Sequence, residues 1–159
     1  CAAKIDLCFV YCVACAKDRC AGCGGREVKI ETKWNNSKCG VNESAVRRLL
    51  DAATFAREWT RLGLGDETPK IDFSSSMAIV ILRGRIHDSA RTRDPRVLEF
   101  DDRVELTYSY MTPKCGNEDL LEECVVVQIP RSTKKLVVRA FDEVREGAAY
   151  VVATLDPVK

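Results

Sequence analysis

From residue 26 onward, apolar and polar positions alternate in short runs, and between 51 and 63 the period lengthens to that of a helix. In Arg26–Trp34 (REVKIETKW), Val28, Ile30, Thr32 and Trp34 fall on one side and Glu27, Lys29, Glu31 and Lys33 on the other, the pattern of a half-buried strand. The stretch Asn35-Asn36-Ser37-Lys38-Cys39-Gly40 reads as a turn. Val46–Leu50 is expected to be a short strand, with a backward extension of the following helix as the alternative. Asp51 suits an N-cap, because its carboxylate can accept the free N–H groups of the first turn. Phe55, Trp59 and Leu62 then share a helical face, Gly63 suits the C′ stop and Pro69 prevents the helix from resuming.

Met77–Leu82 (MAIVIL) is a continuous apolar run ending at Gly84, which predicts a strand covered on both sides. Further strands are expected at Val97–Phe100 and Arg103–Met111, joined by a turn at Asp101-Asp102. Val125–Ile129 and Lys135–Phe141 flank a turn at Pro130–Thr133, and Tyr150–Leu155 reads as an edge strand. The fold class is therefore α+β. Residues 26–159 are expected to form a single domain, a mainly antiparallel sheet of about six to seven strands packed on one principal helix. Residues 1–25 form a Cys-rich N-terminal head.

The 25 Lys and Arg residues nearly balance 24 Asp and Glu, a net charge of +1, which excludes a general electrostatic attraction to nucleic acid or to anionic membrane. No apolar run approaches the roughly 18 residues that a membrane-spanning helix needs.

Nine cysteines change the picture, six of them at 1, 8, 12, 15, 20 and 23. A lipoprotein matured in bacteria begins with the cysteine that carries the lipid, so Cys1 is the candidate lipid anchor. The other eight, Cys8, Cys12, Cys15, Cys20, Cys23, Cys39, Cys115 and Cys124, can all pair as disulfides. Cys115 and Cys124 enclose an acidic loop that a disulfide could close, with Cys39 as the alternative partner for either. A competing reading takes Lys4, the apolar run Ile5–Val13 and Ala14-Cys15-Ala16 as the end of a signal peptide. Both readings place the protein outside the cytoplasm, lipid-anchored to a bacterial membrane or secreted. The alternative is an intracellular protein in which Cys12, Cys15, Cys20 and Cys23 hold zinc or an iron–sulfur cluster, since paired C-x-x-C knuckles place four thiolates around one ion. Against it stands the four-residue gap between the pairs, where zinc ribbons have about 15–20.

Arg83, Arg85, His87, Arg91 and Arg93 cluster between the apolar strand and Pro95, and are the candidate residues for binding a partner, because guanidinium groups grip carboxylates and phosphates in bidentate fashion. His87 is the only histidine. The sequence has no nucleophile elbow, P-loop, H-E-x-x-H or dinucleotide fingerprint. The expectation is a non-enzymatic protein that uses no cofactor.

The Phe55-x3-Trp59 helix, the connector Ile71-Asp72-Phe73-Ser74, the strand Met77–Leu82 ending in Gly84, and Val125–Pro130 followed by Arg131-Ser132 occur in an order and spacing that resembles the C-terminal domain of the PrcB-type protease-complex lipoproteins of bacteria. The likeness spans roughly residues 28–142 and rests on order and spacing rather than on any single string. Members typically carry a Gly-rich loop where this chain is Arg-rich. The resemblance implies an extracytoplasmic accessory module that binds a protein, an extracellular protease, with membrane contact only through the lipid anchor. It supplies no catalytic residues.

Overall fold

The run Met77–Leu82 lies inside β4 (Ser76–His87) and is buried throughout, with no residue more than 1% exposed. Met77, Ile79 and Ile81 face one core, while Ala78, Val80 and Leu82 face another. A strand covered on both sides needs no alternation, and the sequence shows none. This computed structural model describes residues 25–87, 91–111, 120–143 and 149–158.

Around β4 the other elements follow as β1 (Arg26–Val28), β2 (Thr32–Asn36), β3 (Ser44–Leu49), α1 (Ala52–Arg61), β5 (Arg93–Glu99), β6 (Arg103–Tyr110), β7 (Leu120–Pro130), β8 (Lys135–Asp142) and β9 (Tyr150–Leu155). The fold is α+β and dominated by antiparallel pairing, but it has nine strands among the described residues, more than the six to seven expected, and they form two sheets. The larger sheet has the order β1-β5-β6-β8-β9 and the smaller β2-β7-β4-β3. Of the pairings, β6–β8 is parallel. The chain leaves β6, runs through β7 in the opposite sheet and returns beside β6; two reversals restore its direction.

The main core lies between the sheets, where Val97, Leu106, Tyr108, Leu136 and Val138 meet Met77, Ile79, Ile81, Val125 and Val127. The helix covers the other face of the smaller sheet. Asp51 accepts from the Thr54 amide at 2.8 Å, as an N-cap should, and Gly63 follows the last turn at φ 56°. Phe55, Trp59 and Leu62 are buried against Ala78, Val80, Leu82 and Val126, each burial stabilising by roughly 1.5–3 kcal/mol. Trp34 and Phe73 complete this second cluster, with Trp34 standing edge-on to Trp59 at 5.5 Å between centroids. The Trp59 indole N–H donates to the Gly65 carbonyl at 3.1 Å, so its polar end is satisfied.

Two expectations are corrected. Residues 26–34 are not one strand: β1 joins the larger sheet, the chain crosses over at 29–31, and β2 joins the smaller. Val28 and Ile30 therefore pack on the inter-sheet core while Trp34 packs under the helix. The Arg-rich segment is not a loop for most of its length either. Arg83, Arg85 and His87 belong to β4, and Arg93 opens β5. The register of β4 against β7 shifts between Leu82 and Gly84. Gly84 sits there at φ 64°, and a Cβ would stand 2.8 Å from the Asn42 carbonyl oxygen, so the shift requires glycine.

Candidate interaction face

Of the candidate contact residues, Arg83 differs from the exposed Arg85, Arg91 and Arg93. Arg83 is half-buried over the rings of Tyr110 and Tyr108, at 4.6 and 5.4 Å, and donates to the Thr92 hydroxyl at 3.3 Å. Glu123, 2% exposed, accepts from the Thr92 amide at 2.9 and 3.1 Å and from its hydroxyl at 2.7 Å. Arg83, Thr92 and Glu123 thus close one end of the inter-sheet core with a satisfied polar network, a structural duty. Burial pushes the Tyr108 and Tyr110 hydroxyls up to about 12. Arg85 is exposed and lies 3.8 Å from Glu122. Arg91 and Arg93 are exposed. His87 ends β4, and its side chain lies outside the described residues.

Of the cysteines, the described residues hold Cys39 and Cys124; Cys1, Cys8, Cys12, Cys15, Cys20, Cys23 and Cys115 lie outside them, and with them the disulfide, lipid-anchor and metal expectations for those positions. Cys124 is not at the end of a loop but inside β7, opposite Asn36. Both thiols are buried in the cluster beneath the helix. Burial pushes the Cys124 thiol up to about 12, and the neighbouring Cys39 thiol, within hydrogen-bonding reach, adds to the shift.

The cations that do share a surface lie on the outer face of the larger sheet. Val97, Leu106, Tyr108, Leu136, Val138 and Ala140 point into the core, so the alternate residues Arg96 on β5, Arg103, Glu105, Thr107 and Ser109 on β6, and Lys135, Val137 and Arg139 on β8 point outward. Register places Arg96, Thr107 and Arg139 in one row across three strands, and Arg103 beside Lys135. Arg93 pairs with Ser109 at the next outward row. Lys29 alternates with the core residues Val28 and Ile30, and with Glu27, Pro95 and Arg96 it lines a shallow groove of about 440 Å³ at the β1 edge.

This face carries Lys29, Arg93, Arg96, Arg103, Lys135 and Arg139 against Glu27, Glu105 and Glu143. Glu105 is 5% exposed and sits between Arg103 at 2.6 Å and Arg139 at 3.5 Å, which compensates its burial. Its carboxylate holds Arg103 above the ordinary arginine value. Glu143 accepts from Ser109 at 2.5 Å. Lys29, Arg93, Arg96 and Lys135 have no ion-pair partner among the described residues, and all four are exposed. The Thr107 hydroxyl, between Arg96 and Arg139, is buried without a hydrogen-bond partner among the described residues.

Sequence reading found Arg93 and missed the others. Arg103, Glu105, Thr107 and Ser109 alternate with apolar residues within one stretch of sequence, but the strand order that sets Arg96 and Arg139 on either side of Thr107 is carried by no local pattern. Compared with protein-family models, with curated proteins and with solved structures, the chain matches none.

Proposed function

We propose that the chain is a non-enzymatic binding module that works outside the cytoplasm and docks an acidic surface of a partner protein on the outer face of its larger sheet. One observation carries this reading. A chain of net charge +1 gathers six cations on one sheet face, and four of them stand exposed without a carboxylate partner among the described residues. Such a field raises the encounter rate with an acidic surface and favours one orientation of approach. The resemblance to PrcB-type lipoproteins makes an extracellular protease the partner to try first.

Photo-cross-linking in the producing cell tests this. A cross-linking residue at position 96 is expected to capture one extracytoplasmic protein, with less adduct at about 0.5 M salt as screening shortens the reach of the charges. The same residue at position 57, on the exposed side of the helix, is the control. Arg96→Glu with Lys135→Glu is expected to abolish capture by a cross-linker at position 93 while leaving the thermal midpoint within a few degrees. Equal capture from 96 and 57, or capture indifferent to the double reversal, would overturn the proposal.

A further inference from the structure

The described residues hold two cysteines, 85 positions apart in sequence (124 − 39), and the fold sets them side by side. Several contacts bring them there. Asn36 is the register partner of Cys124 at the end of β2. The chain then runs on past Lys38, which bridges to Glu122, and the Cys39 amide donates to the Glu122 carbonyl at 3.1 Å. The Cys39 thiol donates to that same carbonyl at 2.9 Å. Cys124 alternates with Val125 on β7 and so faces the helix side of the smaller sheet, where Cys39 also lies; they are 0% and 7% exposed. The two thiols enter one apolar cluster from a strand and from the adjoining connection, within hydrogen-bonding reach of each other; a disulfide needs the Cα atoms at about 4.4–6.8 Å.

We propose that Cys39 and Cys124 form a disulfide, and that it is made on the unfolded chain by exchange with a disulfide donor, such as oxidised glutathione or an oxidised dithiol oxidoreductase. The thiolate of one cysteine attacks the donor disulfide and releases a donor thiol. The second cysteine, as thiolate, then displaces the remaining donor sulfur. Two electrons and two protons pass to the donor, which leaves as two thiols, and one S–S bond joins 39 to 124. The order of events follows from burial. In the folded chain both sulfurs are shielded from a donor, and burial pushes the Cys124 thiol up, which disfavours its thiolate. In the unfolded chain both are accessible with ordinary acidity. Once made, the bond joins the β2–β3 connection to β7 and closes a long loop, the case in which a cross-link removes most freedom from the unfolded state. This inference is independent of the basic face.

The test uses the full chain, reduced, unfolded in guanidinium and refolded in a glutathione redox couple. Digestion with trypsin and a glutamate-specific protease cuts after Lys38 and after Glu123, separating Cys124 from Cys115. The expected result is a reducible peptide joining 39 to 124, in a chain whose Tm stands about 10 °C above that of the reduced chain. Cys124→Ala should lose that peptide and the reductant-sensitive part of Tm that belongs to it. Reduced chain that is already folded, given the same oxidised glutathione, is expected to remain unlinked at these positions for hours. Recovery of 39 and 124 as alkylated free thiols after oxidative refolding, or joined to other cysteines, would overturn the bond. Rapid linkage in the folded chain would overturn its formation on the unfolded one.

Discussion

At the scale of single residues, Arg48 is the side chain most at odds with its surroundings. It alternates with Val46 and Leu50, which pack on the inter-sheet core, and it stands opposite Ile79. Its Nε, Nη1 and Nη2 atoms are buried without hydrogen-bond partners among the described residues, and burial lowers its pKa from the ordinary value. Arg47 points the other way and bonds Glu58 and Glu43, at 2.9 and 2.5 Å. A buried guanidinium without a partner costs more than an apolar side chain of similar length. Arg48→Met is therefore expected to raise stability by about 1–4 kcal/mol, read as a higher denaturant midpoint at constant slope. A lower midpoint would mean that the guanidinium is held by a partner. Two adjacent arginines on a strand must lie on opposite faces, so the sequence did contain the conflict. It did not say which face was buried.

At the scale of elements, the helix was legible and the sheets were not. Asp51, Phe55, Trp59, Leu62 and Gly63 define start, face and stop within one stretch of chain. The tertiary consequence is testable: Trp59→Ala is expected to cost about 3–5 kcal/mol, because the indole fills the space between Trp34, Phe55 and the smaller sheet. An unchanged midpoint in chemical denaturation would remove the helix from the core. Strands, by contrast, are defined by partners far along the chain. The period-2 pattern over 26–34 continues unbroken through the crossover at 29–31, since it records which residues are apolar and not which sheet they serve. The basic face shares this origin. Arg96, Thr107 and Arg139 become neighbours through strand order, which no local pattern carries.

At the scale of the whole molecule, the cysteine and tyrosine hydroxyl protons set an alkaline limit. Cys124 in the folded, reduced chain keeps its proton to about 12 against an ordinary value of 9.0; Tyr108 and Tyr110 keep theirs to about 12 against 10.0. Above pH 9 the unfolded chain has begun to release protons that the folded chain retains, so the unfolded state gains and stability falls as pH rises toward 12. The reduced chain is expected to show a denaturant midpoint that declines from pH 9 upward, and Cys124→Ser to flatten the first part of that decline. A midpoint constant to pH 11 would mean that these groups are solvated.

The crossover at 29–31 also fixes a timetable for synthesis. Arg26 meets Glu99, 73 residues later, and Glu31 meets Gln128, 97 residues later. A ribosome adding about 5–20 residues per second leaves the first two strands unpartnered for several seconds or more while the strands they join are still being made. The larger sheet cannot gain its β1 edge until β5 has emerged, nor the smaller sheet its β2 edge until β7 has. The smaller sheet is therefore complete only after residue 130 has been made.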